Sequence, residues 1–197
     1  FPADPRWQLL DPPVSRETFA GFVLVKPLFF RLGLRLDSHP TGRITATDRL
    51  RVTLTATEPV ETLAALYRDG TPLDSTLTFT QREGDRLAVY AVFPAAGPYT
   101  LRLYTRRAGA DGAFTGTLDY QVAATAGAGA EAGFPEIYDA FAALGIRLTA
   151  PLDGRLPAGT PVAFDVTVPG AEVVGVQHGT AWSWLTRQGD RFTGTVT

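Results

Sequence analysis

The sequence predicts an all-β protein made of two tandem β-sandwich domains, the second of which lacks its last two strands. Three observations support this prediction: a long internal repeat, short segments in which apolar and polar residues alternate, and an Ala/Gly-rich segment between the two copies. Alternation with a period of two is typical of half-buried strands, and a repeat of domain length indicates duplicated domains.

The repeat aligns residues 27–56 with residues 139–168 without a gap, at a constant offset of 112. Nine of the thirty aligned positions are identical. Residues 82–86 match residues 187–191 at an offset of 105, so the second copy is seven residues shorter in between. In a chain of 197 residues this period indicates two units, each of a size that one hydrophobic core can serve.

Residues 1–22 are predicted to be an extended connector from an absent upstream domain. Four prolines among the first thirteen residues disfavour a regular helix or a central strand. The segment Trp7–Leu10 is nevertheless apolar enough to pack against a neighbour. Ser15 is a candidate N-cap for one short helical turn, with Thr18 in the place where a capping box usually has Glu.

Residues 23–123, called repeat one, are predicted to form a sandwich of seven or eight strands. The first strand is expected to run from Leu28 to Leu36, since Phe30, Leu32 and Leu34 fall on one face. A short edge strand at 44–46 and the clearest strand, at 50–56, follow. The remaining strands are predicted at residues 63–68, 77–80, 87–93, 98–104 and 117–122.

Residues 124–133 are almost entirely Ala and Gly with one charge, which predicts a domain linker because the segment has no side chains to pack. Residues 134–197, called repeat two, are predicted to form the second sandwich. Its strands are expected at residues 146–149, 161–168, 172–177, 181–186 and 191–197.

Repeat two stops at the equivalent of Val92, before the counterparts of the strands at 98–104 and 117–122. A sandwich without two of its strands has unpaired edges and an uncovered apolar face. We therefore expect the parent sequence to continue for roughly thirty residues with two more strands. If it does not, we expect another chain to pair with the open edge of repeat two.

Composition excludes several functions. The net charge of −2 provides no basic surface for nucleic acid, and no apolar run is long enough to span a membrane. The sequence contains no cysteine, which excludes disulfides, thiolate catalysis and cysteine-ligated metals. The compartment stays open, with a lean towards the cell surface or secretion.

Trp182 and Trp184 lie two residues apart on a predicted strand, so both rings should face the same side. Exposed, such a pair could stack on sugar rings. At the offset of 105, however, they align with Leu77 and Phe79, which are expected to face the interior of repeat one. The sequence therefore favours core packing of both tryptophans over ligand stacking.

No residue is assigned to a catalytic, cofactor or metal site. His39 and His178 lie in predicted turns without a second histidine nearby, which favours surface positions over metal ligands or a Ser-His-Asp triad. The candidate acidic residues also lie in predicted turns and form no calcium-loop motif. They are Asp69, Glu83, Asp85, Asp111 and Asp153. The glycines of residues 127–133 are interpreted as linker and not as a phosphate loop.

Two segments resemble a known family, the kyphoscoliosis-peptidase-type transglutaminase-like proteins. The run Trp7-Gln8-Leu9-Leu10 with Pro13, Ser15 and Phe19 resembles the segment that leaves their papain-like catalytic domain. Repeat two resembles their immunoglobulin-like domains. That second resemblance is carried by Phe134, Pro135, Tyr138, Leu148, Pro151, Leu152, Gly154, Leu156, Gly159, Phe164, Val168, Pro169, Gly170, Ala171, Val174, Gly179, Trp182, Leu185, Gly189, Asp190, Phe192 and Gly194.

The resemblance implies a C-terminal pair of immunoglobulin-like domains without the family's Cys-His-Asp triad, because this chain has no cysteine. The expected function is therefore a non-catalytic interaction or spacer module. It would position an upstream transglutaminase-like domain or dock it to a protein partner. The alternative is a carbohydrate-binding or cell-surface adhesion tandem, and the two differ in whether the tryptophans are buried or form an exposed platform.

Overall fold

The computed structural model describes residues 11–197, which form sixteen β-strands, three α-helices of five residues each and one short 3-10 helix, so the all-β prediction is confirmed. None of these helices is long enough to cross a bilayer. The predicted packing of Trp7–Leu10 lies outside the described residues. The elements up to residue 124 are α1 (Arg16–Ala20), β1 (Leu24–Val25), α2 (Pro27–Arg31), β2 (Leu34–Leu36), β3 (Arg43–Ala46), β4 (Arg49–Ala56), β5 (Val60–Arg68), β6 (Thr71–Pro72), a 3-10 helix (Ser75–Leu77), β7 (Thr78–Glu83), β8 (Arg86–Val92), β9 (Gly97–Arg107) and β10 (Thr115–Ala124).

Repeat one is a sandwich of two sheets. One sheet has the strand order β2-β4-β8-β7, and the other has the order β1-β10-β9-β5-β6, with β3 parallel to β10. Alternating residues of β4 and β8 meet those of β9 and β10 in a core where Val52, Val89, Leu101 and Leu118 are fully buried. Burying each such side chain contributes about 1.5–3 kcal/mol, so the ribbon β9–β10 supplies a large share of this core.

The strand predicted from Leu28 is wrong over its first half. Pro27 instead begins α2, because its fixed φ suits the first position of a helix and its missing N–H is not needed there. The helix turns Phe29 into the core, 5% exposed, and leaves Phe30 68% exposed. The strand begins only at β2, after Gly33 at φ 60°.

Repeat two has α3 (Asp139–Ala143), β11 (Arg147–Ala150), β12 (Val162–Thr167), β13 (Gly175–His178), β14 (Ala181–Trp184), β15 (Thr186–Gln188) and β16 (Arg191–Val196). Its four-stranded sheet has the order β11-β12-β16-β15, the same path as β2-β4-β8-β7 in repeat one. Over the described residues the second sheet of repeat two consists of the hairpin β13–β14 alone.

The repeat extends upstream of the alignment made from sequence. The Gly42 N–H donates to the Gly21 carbonyl at 2.8 Å, and 112 residues later the Gly154 N–H donates to the Gly133 carbonyl at the same distance. A Cβ at Gly42 would lie 2.6 Å from the Phe22 carbonyl oxygen, and one at Gly154 would lie 2.4 Å from that of Phe134. Both positions therefore need glycine for the same close backbone approach.

The segments flanking repeat one are attached to it. Ser15 caps α1 as predicted, since its Oγ accepts from the Thr18 N–H at 3.0 Å. The Ala/Gly segment does have side chains that pack: Ala128 and Ala132 lie against the core of repeat one. The Ala128 N–H also donates to the Phe93 carbonyl at 2.8 Å. The expectation of a segment with nothing to pack is therefore wrong, because alanine methyl groups fit where the backbone lies close to repeat one.

Candidate functional site: an inter-repeat joint and an aromatic hairpin

The outer face of the sheet β2-β4-β8-β7 is covered by repeat two. Thr78 and Thr80 of β7 face the sandwich interior, where each hydroxyl donates to a β5 carbonyl at 2.8 Å. Strand alternation therefore places Phe79 and Gln81 on the opposite, outer face. The sequence-based prediction that Phe79 faces the interior of repeat one is therefore wrong. Phe79 is only 3% exposed because repeat two covers it.

Aromatic rings fill the centre of this contact, which we call the joint. Phe134 stacks on Phe79 with ring centroids 5.9 Å apart, and Phe141 meets Phe79 edge-on at 5.8 Å. The ring centroid of Tyr90 lies 6.1 Å from that of Phe134. Phe134 is 4% exposed and belongs to the same buried cluster as the core of repeat one. The two repeats therefore share one apolar core and are not joined by the chain alone.

Gln81 joins the two repeats by hydrogen bonds. Its Oε1 accepts from the Leu148 N–H at 2.9 Å, and its Nε2 donates to the Leu148 carbonyl at 3.0 Å. The amide side chain thus satisfies both backbone groups of one residue in β11, as a neighbouring strand would. This pairing fixes β11 against the edge strand β7.

Glu83 orients Gln81. Its Oε1 accepts from the Tyr90 hydroxyl at 2.6 Å and from Gln81 Nε2 at 3.2 Å, and its Oε2 pairs with Arg51. Burial acts to raise the pKa of Glu83, but the hydrogen bonds from Tyr90, Arg51 and Gln81 outweigh it and hold that pKa below its usual range. Burial, and then the bond to Glu83, raises the pKa of the Tyr90 hydroxyl. The charged carboxylate is therefore the form that fits the joint.

Ion pairs lie at the rim of the joint. Arg49 pairs with Asp153, and Arg155 pairs with Glu131. All four side chains are more than 40% exposed, so each pair is worth at most about 1 kcal/mol. Rim charges help to orient the repeats, whereas the rings and Gln81 supply the stability.

The tryptophans lie on the hairpin β13–β14, whose two-residue turn begins at Gly179 with φ 56°. Trp182 pairs with Gln177 and Trp184 with Gly175, so both rings share one face of the hairpin. Their centroids are 5.5 Å apart and the ring planes differ by 12°. Trp182 is 53% and Trp184 is 64% exposed. The predicted core packing of both tryptophans is therefore wrong.

The error comes from where repeat two is shortened. In repeat one, Arg68 pairs with Thr71 and Tyr67 with Pro72 around the turn. In repeat two, His178 pairs with Ala181 and Gln177 with Trp182. Trp182 is thus the counterpart of Pro72, an exposed residue of an edge strand, and not of Leu77. Repeat two is also shorter after the hairpin, because repeat one has a 3-10 helix between β6 and β7 at that point.

Gly175 provides the surface on which the rings rest. A Cβ there would lie 2.7 Å from Trp184 Cε3 and 3.0 Å from Trp182 Cε3. On the other face of the hairpin, Val176 opposes Ser183. The tryptophan face therefore presents flat apolar rings with polar indole N–H groups, which suits stacking on another ring or on an apolar peptide.

The other candidate residues do not converge on a site. His39 Nδ1 lies 2.9 Å from Ser38 Oγ in repeat one, whereas His178 is exposed at the end of β13. Asp69 lies in a turn at φ 50°, and Asp85 and Asp111 are exposed. Among residues 11–197 no group of three His, Asp or Glu side chains could hold a metal ion. Of the five acidic candidates, Glu83 and Asp153 belong to the joint.

Sequence reasoning missed the joint. A signal was present, because Gln81 and Phe79 occupy alternate positions of one strand, and a polar residue beside an apolar one on the same face indicates a contact that also needs hydrogen bonds. Phe134, the first large apolar residue after the Ala/Gly segment, was a second signal.

A family model described as "KY-like, immunoglobulin-like domain" matches residues 16–135. The kyphoscoliosis peptidases of Mus musculus and Homo sapiens are each 28% identical to this chain over 120 residues. That match covers 61% of this chain but 17% of each relative, so the chain spans a small part of their length.

The solved structures that match this chain include titin fragments. The I-band fragment I67–I69 is 10% identical, with 81% of this chain and 53% of that chain covered and a TM-score of 0.27. The tandem A164–A165 is 13% identical, with 78% and 74% covered and a TM-score of 0.25.

Proposed function

Because the chain belongs to the family of KY-like immunoglobulin-like domains, we propose that it is a non-catalytic spacer and interaction module of a larger protein. In this role it holds a transglutaminase-like domain that precedes it at a fixed position relative to a protein partner. The joint is the observation that supports the proposal, since a spacer must transmit position from one end to the other.

A shared core makes the pair of repeats one stiff unit. Inter-domain contacts that are small and polar normally permit relative motion. Here buried rings and the Gln81–Leu148 pairing oppose both separation and sliding. The Ala/Gly segment is hydrogen-bonded to the carbonyl groups of Phe93 and Pro94, so it does not act as a flexible tether between the repeats.

The stiffness can be measured by pulsed electron spin resonance with labels at Ala110→Cys and Glu172→Cys, which are exposed positions in different repeats. The chain has no cysteine of its own, so only these sites would be labelled. We expect one narrow distance distribution that broadens in Phe134→Ala and stays narrow in the control Phe30→Ala. A broad distribution in the unmodified pair would exclude a rigid spacer.

The exposed Trp182–Trp184 pair favours a second candidate function, carbohydrate binding. Stacked indole rings on an outer hairpin face can pack against the apolar face of a sugar. The test is titration of intrinsic fluorescence with chito- and cello-oligosaccharides, with the double variant Trp182→Ala/Trp184→Ala as the control. Saturable quenching that the double variant lacks would support this function, and its absence up to millimolar sugar would contradict it.

A further inference from the structure

We propose that the tryptophan face of the hairpin β13–β14 binds a proline-rich segment of a partner protein in the polyproline II conformation. This face consists of Gly175, Gln177, Trp182 and Trp184, which lie on the same side of the hairpin. Such a segment would belong to the protein partner of the interaction role proposed above. The inference therefore rests on that role, but it does not depend on the joint.

The tryptophan face points away from the core of repeat two. Gly175 and Gln177 alternate with Val176, which by the turn register is the counterpart of Leu66 in repeat one. Leu66 is 1% exposed and lies inside its sandwich, so Gly175 and Gln177 lie on the outer side of theirs. The two rings are therefore exposed because of their register, whatever covers the inner side of the hairpin.

Gly175 gives the two rings their place. By the same register its counterpart in repeat one is Ala65, and the counterpart of Trp182 is Pro72. A Cβ at position 175 would lie 2.7 Å from Cε3 of Trp184 and 3.0 Å from Cε3 of Trp182. The alanine of repeat one would thus push both rings out of position. The copy of the repeat that has the tryptophans also has the glycine on which they rest.

The indole N–H groups are available to a ligand. Cε3 and Nε1 lie on opposite edges of an indole, so rings whose Cε3 edges rest on Gly175 direct their N–H edges away from the backbone there. Gln177 donates from Nε2 to the Gly179 carbonyl at 3.4 Å. Within residues 11–197 the two indole N–H groups have no acceptor and the Gln177 Oε1 has no donor. The face therefore offers two donors and one side-chain acceptor.

Charge and area limit what can bind. Residues 173–184 contain no Asp, Glu, Lys or Arg, so the face suits a neutral ligand. The two half-exposed rings together offer roughly 200–300 Å² of surface. A stable interface between folded proteins needs about 800 Å² from each partner. The face is therefore large enough to anchor a short segment and too small to hold a second copy of this chain.

A proline-rich segment matches these groups. In the polyproline II conformation the backbone carbonyls have no internal hydrogen bonds, and the conformation is largely formed before binding. Proline rings can stack on the open faces of the indoles while the carbonyls accept from the indole N–H groups. Proline has no N–H, so such a segment needs few acceptors. A sugar presents several hydroxyls that both donate and accept, and one amide oxygen satisfies few of them.

The probe for the test is decaproline, titrated into the 197-residue chain and followed by NMR through the indole N–H resonances of Trp182 and Trp184. We expect both resonances to shift in a saturable way. A Gly/Ser peptide of the same length is flexible and has no rings to stack, so it should cause no shift. Trp184→Phe keeps an aromatic face but loses one N–H, so it should weaken decaproline binding about 2–10-fold.

Gly175→Ala is the matched variant, because Ala65 shows that the equivalent strand position accommodates alanine. It should weaken decaproline binding on the order of 10-fold and leave the Tm nearly unchanged. Phe30→Ala removes an exposed ring of repeat one and should change neither quantity. Equal affinity for decaproline in Gly175→Ala and the unmodified chain would overturn the proposal.

Three further results would also overturn it. One is the absence of any shift with decaproline up to millimolar concentration. Another is a saturable shift with cello-oligosaccharides where decaproline gives none, which would assign the face to a sugar. The third is a shift that grows with protein concentration without peptide, together with dimers in sedimentation, which would assign it to a second copy. None of these results affects the spacer role, which the spin-label distances test separately.

Discussion

At the scale of single residues, the side chain of Gln81 has the clearest structural role. A primary amide has the donor and acceptor spacing of a peptide group, so it can replace one residue of a neighbouring strand. It is 7% exposed, and both of its polar atoms are used across the joint. A methyl group or a carboxylate in its place could not satisfy both groups of Leu148.

Gln81→Ala should lower the free energy of unfolding by about 1–3 kcal/mol, because the Leu148 N–H and carbonyl lose their partners in a largely buried position. Urea denaturation followed by circular dichroism measures the change. Gln121→Ala is the control, since Gln121 is an exposed glutamine bonded to Thr100, and it should have little effect. Equal effects of the two substitutions would contradict the assigned role.

Glu83 makes the joint sensitive to acid. Its pKa in the folded chain lies below the ordinary value of 4.5, so the charged form stabilises the fold above that value and this contribution is lost as the pH falls through the folded pKa. Glu83→Gln should therefore destabilise the chain at pH 7, and its difference from the unmodified chain should shrink as the pH falls below about 4.5.

Denaturation midpoints at pH 7, 5, 4 and 3 measure this difference. Tyr90→Phe keeps the carboxylate but removes the hydroxyl donor, so it should weaken the pH dependence without abolishing it. A stability difference between Glu83→Gln and the unmodified chain that stays constant from pH 7 to pH 3 would rule out Glu83 as the source.

At the scale of elements, the hairpin β13–β14 differs most from what the sequence predicts. Its tryptophans are on an outer face because the short turn fixes the register, and register decides which residues share a face. Leu185, the next residue, is 8% exposed and lies against Gly194, where it enters the core of repeat two. The chain thus crosses from one sheet to the other within one residue.

The double variant Trp182→Ala/Trp184→Ala should therefore lower the free energy of unfolding by less than about 1.5 kcal/mol, since the rings lose mainly their mutual stacking. Leu185→Ala, one residue away, should cost about 2–5 kcal/mol because it opens a cavity. Thermal unfolding of the three chains compares these costs. A loss in the double variant as large as that in Leu185→Ala would mean that the rings are buried after all.

At the scale of the whole molecule, Phe134 connects the stability of one repeat to that of the other. It belongs by sequence to repeat two and by packing to the core of repeat one. Its counterpart in repeat one, Phe22, is 43% exposed. One position of the repeat thus has different surroundings in its two copies, since repeat two has a preceding sheet to dock on.

Phe134→Ala should lower the free energy of unfolding by about 3–5 kcal/mol. It should also replace a single cooperative unfolding transition by two separate transitions. Calorimetry shows the number of transitions, and Phe30→Ala, a phenylalanine that is 68% exposed, is the control with an expected cost within about 1 kcal/mol. A single sharp transition in Phe134→Ala would show that the repeats are coupled through other contacts.

The all-β class, the duplication, the positions of most strands and the Ser15 cap could be predicted from the sequence, because they depend on alternation, identity at a constant offset and local capping. Residues 161–168 and 191–197, for example, were recognisable as the strands β12 and β16. Tertiary structure alone decided that Pro27–Arg31 is helical, that Phe79 faces outward and that the tryptophans are exposed. These outcomes depend on register and on which surface a neighbouring repeat covers. Alternation of apolar and polar residues with a period of two distinguishes the two faces of a strand. Which face is buried depends on the neighbour that packs against it.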